Sequence, residues 1–222
     1  MANASVNTYS GRSIMWNRVR GSGTEPLNIG WGDSTVTSAI NGNVNLFKPQ
    51  TEARTAGTPT LTTTTFLADT YRVIGTITCA TTTKTITEAG LFDTSSLSNT
   101  NTVSVSMTAS QTNISIGSVT GFPTTGNYYA QVENETILVT GANNTSLTIT
   151  RGRLGSTSAV HASGTPFTIG GDGGASGSGA TSEQTAAVAA SNGGSMFAHA
   201  DFAGIALAVS DAIAFTWLDT LT

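Results

Sequence analysis

The stretch 137–164, ILVTGANNTSLTITRGRLGSTSAVHASG, holds the densest reactive chemistry of the chain: Arg151, Arg153 and His161 among glycines and hydroxyls. Those residue types are the material of an anion-binding or catalytic loop, because a guanidinium offers forked donors and an imidazole a titratable nitrogen. Partners for such chemistry are scarce. His161 and His199 are the only histidines, neither lies in an HxH or HExxH arrangement, and Cys79 stands alone, so no zinc ligand set is expected. Asp172 sits in a GDGG turn without the repeating acids of a calcium loop. Gly21-Ser-Gly23 does not run into the Gly-Lys-Thr of a phosphate loop. Glu133 and Glu135 share strand parity and are expected to face solvent, and no pair of carboxylates spanning a cleft can be nominated. The expectation is a protein that is not an enzyme and that uses no cofactor and no metal.

The same stretch has a simpler reading as a structural turn. Arg151 follows a strand and lies over the sheet edge, where its donors satisfy loop carbonyls. Gly152 and Gly155 permit the bend, and His161 and Gly164 return the chain to Pro166-Phe-Thr-Ile169. Contact with a ligand or receptor is the alternative for these residues.

Composition favours contacts over catalysis. Only 10% of residues are charged and 25 are glycine, against roughly 25% charged in an average globular domain. The solvated surface must therefore be Thr, Ser, Asn and Gly, a palette of β-rich assembled proteins. A net charge of −4, thinly spread, gives no field for nucleic acid. No apolar run is long enough to span a bilayer, and the first residues lack the pattern of a signal peptide. The glycan acceptor patterns at Asn113, Asn134 and Asn143 read as chance matches in so Asn- and Thr-rich a chain.

The elements that must hold these residues are strands. Residues 1–24 read as an N-terminal arm or an ordinary first strand, with Ile14, Met15, Trp16 and Arg18 as attachment candidates. Trp31, between Gly30 and Gly32, ends a short strand from Leu27 and is a further attachment candidate. Residues 33–60 are irregular, and Glu52 and Arg54 read as a local ion pair. Strands follow at 61–66, 71–79 and 85–92, from their β-branched content and partial alternation. Residues 103–107, 113–117, 128–132, 135–139, 147–150 and 166–169 form a second run with its own hairpins, joined through Gly141-Ala-Asn-Asn144. Residues 171–192 are too rich in Gly, Ser and Ala to build a core and read as a linker or loop. Strands return at 196–202, 204–209 and 212–217. Those last strands need a partner sheet. The expected fold is all-β: a discontinuous β-sandwich-like domain, 25–95 plus 193–222, interrupted by a small inserted β-barrel or meander at 103–170. Tyr128 and Tyr129 are the candidates for surface recognition, although alternation turns one of them inward.

The run from Gly121-Phe-Pro through Glu135 and Thr148-Ile-Thr-Arg-Gly152 to His161-Ala-Ser-Gly164 resembles a small β-module of tailed-bacteriophage virion proteins, with Ser156-Thr157 a mild departure. The flanking sequence is similar to a second phage pattern: Ile29-Gly-Trp-Gly32, Glu52-Ala-Arg54, Ile86-Thr-Glu-Ala-Gly-Leu-Phe92, Met196-Phe-Ala-His-Ala-Asp-Phe202 and a closing strand with Trp217. The resemblance implies a mostly β virion protein, made in the host cytoplasm, that works as a homo-oligomer such as a trimer or ring. Its implied partners are other virion proteins: major capsid, portal or neck, or tail proteins. The two-unit build suits a decoration, neck or collar, or short-fibre protein. Sparse charge suits homomeric contacts, since little must be desolvated to bury an interface. A carbohydrate- or receptor-binding module, with a host glycan as partner and Tyr128, Tyr129 and Trp31 as its aromatics, is the alternative.

Overall fold

The computed structural model describes residues 5–36, 38–124, 127–170 and 193–220. Among them, strands form three antiparallel sheets, and one helix packs on their surface. The first sheet contains β1 (Val6–Asn7), β2 (Asn28–Gly32), β3 (Thr55–Ala56), β6 (Lys84–Phe92) and β13 (Met196–Leu207), in the order β1-β13-β6-β2-β3. The second contains β4 (Thr58–Thr62), β5 (Thr70–Thr78) and β14 (Ala212–Thr220), in the order β14-β5-β4. These two open sheets bury one core, in which Ile29, Trp31, Ile86 and Leu91 meet Val73, Ile77 and Trp217. Each such large apolar side chain contributes about 1.5–3 kcal/mol when fully buried.

The third sheet takes all its strands from the intervening sequence: β7 (Thr100–Thr102), β8 (Asn113–Ser115), β9 (Tyr128–Val132), β10 (Glu135–Asn143), β11 (Ser146–Arg153) and β12 (Pro166–Ile169), in the order β7-β12-β9-β10-β11-β8. It curls into a half-barrel, and just beyond its two edge strands Val103 and Ile116 form a bridge. Its interior is a separate apolar core that includes Met107, Ile114, Tyr128, Val139, Leu147 and Phe167. The whole is an all-β, multi-sheet molecule consistent with a discontinuous β-sandwich-like arrangement. The linker reading at 171–192 lies outside the described residues.

The N-terminal region begins with the short strand β1, paired with β13, and continues as a helix that the sequence reading did not expect. This helix, α1 (Tyr9–Val19), is capped by the Thr8 hydroxyl, which accepts from the Gly11 amide at 2.9 Å. It docks on its own chain: a Cβ on Gly11 would stand 2.1 Å from the Phe197 carbonyl oxygen, so only glycine permits the approach. The buried face is Ser10, Gly11, Ser13 and Ile14, which shows no apolar helical period.

Other differences are local. The Val103–Met107 alternation yields only single bridges, to Ile116 and to His161. The two expected strands at 196–209 are one, β13, with a register shift between Asp201 and Ile205 that absorbs the irregularity around Gly204. The strand expected at 61–66 ends at Thr62, and 63–69 turns back toward β5.

Candidate functional site

Two buried polar clusters and one exposed apolar surface organise the candidate residues. The first cluster grows from the β9–β10 hairpin. Val132 pairs with Glu135, leaving Glu133 and Asn134 as the turn, with Glu133 in left-handed backbone at φ 48°. That turn separates two carboxylates expected on one solvent face. Glu135 is fully buried instead, and accepts from Arg151 Nε at 2.7 Å, Arg151 Nη2 at 2.5 Å, the Gly152 amide at 2.9 Å and the Ala159 amide at 3.1 Å. Arg151 also donates to the Thr108 and Ala159 carbonyls. Gly152 (φ 60°) and Gly155 (φ 84°) occupy the left-handed region that the bend requires.

His161 completes this cluster. Its Nδ1 lies 2.6 Å from Glu133 Oε2 and its Nε2 2.8 Å from Glu135 Oε2. An ionised carboxylate only accepts, so both ring nitrogens must donate and the ring is an imidazolium. Burial lowers the His161 pKa, but the hydrogen bonds to Glu135 and Glu133 outweigh it and hold it above its ordinary value. Burial likewise raises Glu135, but Arg151, His161 and the two amides pull its carboxyl down to about 2. Two carboxylates, a guanidinium and an imidazolium sum to zero charge, the condition under which buried charge is tolerated. No lone pair of this ring is left for a base or a metal.

The second cluster ties the segment 40–48 to both halves of the molecule. Glu88 of β6 and His199 of β13 are buried and joined at 3.0 Å. Glu88 also accepts from the Phe47 amide at 2.9 Å and the Lys48 amide at 2.8 Å, and His199 Nδ1 meets Asn43 Oδ1 at 3.1 Å. The same segment reaches the curled sheet: Thr136 Oγ1 donates to the Gly42 carbonyl at 2.8 Å, the Val44 amide to Gln131 at 3.1 Å, and Asn45 Nδ2 to the Ile169 carbonyl at 2.8 Å. It is a strap between the units. Neither its mixed sequence, with Val44, Leu46 and Phe47 among asparagines, nor the spacing of its residues announced it. The one available signal was Glu88, a charge inside the apolar run of β6.

The strap also overturns the tyrosine expectation. Tyr128 points into the core of the curled sheet, and Tyr129 on the opposite face is covered by Val44 and Leu138, with Leu154 packed against them. Both are buried, so neither is a surface recognition residue. Trp31 is buried as well, and Gly32 beside it makes room for Glu88, whose Oε1 would stand 2.2 Å from a Cβ there. Glu52 and Arg54 do not pair with each other. Glu52 binds Lys84, while Arg54 donates to the Thr94 and Gly193 carbonyls and stacks 3.4 Å from the Phe92 ring centre.

The attachment candidates divide. Ile14 is buried against β13, Met15 is half-buried, and Arg18 is exposed and donates to the Gly23 carbonyl. Trp16 (68% exposed) and Val19 (77%) face solvent. Residues that the sequence reading missed extend this surface: Leu61, Phe66 (71%) and Leu67 (90%). A groove of about 360 Å³ runs among Met15, Val19, Pro26, Leu61 and Tyr71. The Phe66-Leu67 tip is built. Asp69 accepts from the Phe66 amide at 2.7 Å, the Thr65 amide at 2.7 Å and the Thr64 amide at 2.8 Å, and those bonds hold its carboxyl well below the usual range although burial opposes them.

No family model matches the chain, and no curated protein matches it.

Proposed function

We propose that the chain is a non-enzymatic structural component of a tailed-phage virion, a decoration, neck or collar, or short-fibre protein. It assembles with further copies of itself through the open sheets and attaches to capsid, neck or tail proteins. The observation that carries this reading is the set of exposed apolar side chains Val19, Leu61, Phe66 and Leu67, the last two on a turn whose Thr64, Thr65 and Phe66 amides donate to Asp69. Val19 and Leu61 flank one groove, and apolar surface gathered in this way marks an interaction site. The free edge of β14 supports the same reading. Nine residues carry one charge, Asp219, and among the described residues pair with β5 on one side only, and a long edge without charged guards pairs readily with another chain.

In this reading the curled sheet, bridged at Val103 and Ile116, is the inserted β-barrel or meander expected at 103–170 and corresponds to the small β-module of the phage resemblance. Its ionisable residues lock its own loops, which suits a structural role for Arg151, Gly152, Gly155 and His161. The measurement is the mass of the purified chain by light scattering over a range of concentrations. A trimer or larger ring is expected, and a monomer at every concentration would remove the support for homomeric assembly.

A further inference from the structure

Helix α1 presents two unlike faces to its surroundings. On the outward side Tyr9, Arg12, Trp16 and Arg20 recur at spacings of three and four, so they share one stripe. All four are exposed. The Arg12 guanidinium lies 5.3 Å from the Tyr9 ring centre, and among the described residues no carboxylate pairs with Arg12 or Arg20. Lys48, Lys84 and Arg151, by contrast, pair with Asp33, Glu52 and Glu135. The first turn of the helix carries no acidic residue, and a cation near that end opposes the helix dipole, so the stability of the helix does not account for Arg12. Exposed Trp and Arg are the side chains on which binding energy concentrates at interfaces.

Another side of α1, with Met15 and Val19, is one wall of the groove of about 360 Å³. Met15, Pro26, Leu61 and Phe197 give the groove an apolar lining, and three carboxylates, Glu25, Asp69 and Asp219, stand on it against one guanidinium, Arg18. Asp69 accepts from the amides of its own turn, and Asp219 Oδ1 accepts from Asn7 Nδ2 at 2.6 Å. Neutral donors of this kind hold the carboxylates in place without cancelling their charge. Burial and the adjacent Glu25 carboxylate push the Tyr71 hydroxyl above its ordinary value, and Arg18 opposes them. An apolar groove with an excess of acid and an aromatic stripe with two guanidinium groups are complementary in charge and in polarity. Because the two lie on different sides of one helix, a single copy cannot bring its stripe into its own groove, whereas a neighbouring copy can. A contact between unlike patches is heterologous, and it closes into a ring when the rotation between copies allows.

We propose that the stripe of Tyr9, Arg12, Trp16 and Arg20 on one copy docks in the groove edged by Glu25, Asp69 and Asp219 on the next, an inference that rests on the assembly reading and names its two complementary faces. The test is sedimentation velocity of the full chain, with circular dichroism to follow folding, for the wild type, for Arg12→Glu with Trp16→Ala in the stripe, and for Leu61→Arg in the groove. All three positions are exposed, so the variants should fold. Association is expected in the wild type and weakened about tenfold or more in each variant. An equimolar mixture of the two variants should form a heterodimer, because one retains a whole groove and the other a whole stripe. Raising the salt from about 0.05 M to about 0.5 M should also weaken wild-type association, and this arm decides the matter if a variant fails to fold. An oligomer that neither variant nor salt disturbs overturns the docking and leaves the assembly reading to another surface. Loss of association in both variants without a heterodimer in the mixture means contact through like faces and overturns it too. A wild type that is monomeric at every concentration overturns both the docking and the reading beneath it.

Discussion

In the curled sheet the two outermost strands turn back toward each other, and the Ser104 amide donates to the Ser115 carbonyl at 2.8 Å beside the Val103–Ile116 bridge. In the open sheets β14 pairs, among the described residues, with β5 alone, and Val19, Phe66 and Leu67 stand in water. Polar groups differ in the same sense. The curled sheet spends Glu135, Arg151 and His161 on fastening its own loop, whereas Glu88 and His199 of the open sheets fasten the strap that reaches across to the other unit. The curled half turns its charges on its own loop and bridges its edge strands, although Val105 and Val160 stand exposed on it, and the open half leaves the edge of β14 and the Val19, Phe66 and Leu67 side chains in water. The contrast teaches why the proposed assembly is assigned to the open sheets and not to the curled one.

The largest expected effect breaks the curled half alone. Arg151→Ala leaves Glu135 buried without its guanidinium, and loss of one partner of a buried pair costs about 3–5 kcal/mol. Native-state hydrogen exchange should show β9–β12 losing protection while β5 and β14 keep theirs. Equal loss in both halves would erase the distinction between them.

Gly32→Ala tests the other half. Its Cβ would meet Glu88 Oε1 at 2.2 Å and the Lys48 carbonyl oxygen at 2.6 Å, and overpacking of this kind costs roughly 1–3 kcal/mol. Denaturant unfolding should show the loss in β2 and β6 and in the strap, with the curled core still cooperative.

A pH series sharpens the comparison next. The folded pKa of His161 is raised above 6.5, so its contribution is fully present below that value and is lost as pH rises through the folded pKa. The folded pKa of Glu135 is depressed from 4.5 to about 2, so its contribution is present above 4.5 and is lost as pH falls toward about 2. Stability of the curled sheet should therefore be greatest between these limbs, and His161→Gln should flatten the alkaline one. An unchanged alkaline limb in that variant would mean that the ring is not charged in the folded protein.

How far the sequence disclosed this organisation follows from what periodicity can carry. β5, β6, β9 and β12 were legible because their apolar and β-branched residues follow strand rules, and Arg151, Gly152 and Gly155 because a glycine-spaced turn has few alternatives. α1 was not, because three of the four residues on its buried face, Ser10, Gly11 and Ser13, are small or polar, with Ile14 the one apolar member and Gly11 set by close approach to Phe197. Tyr128 and Tyr129 misled because alternation assumes one wet face, and the strap covers the second. Glu135 misled because parity runs through a hairpin turn only on paper. The Phe66-Leu67 tip was hidden in an apparent strand, and what ends that strand is the Asp69 carboxylate five residues on from Thr64.

The smallest effect on stability carries the most direct test. Val19→Asp together with Leu67→Asp changes two side chains that are mostly in water, so the folding free energy should move by no more than about 0.5 kcal/mol for each. Sedimentation velocity of the wild-type chain and this double variant, side by side with circular dichroism, reads assembly apart from folding. An oligomer for the wild type and a folded monomer for the variant are expected. An unchanged oligomer in the variant, or a wild type that sediments as a monomer throughout, would contradict the assignment of assembly to this surface.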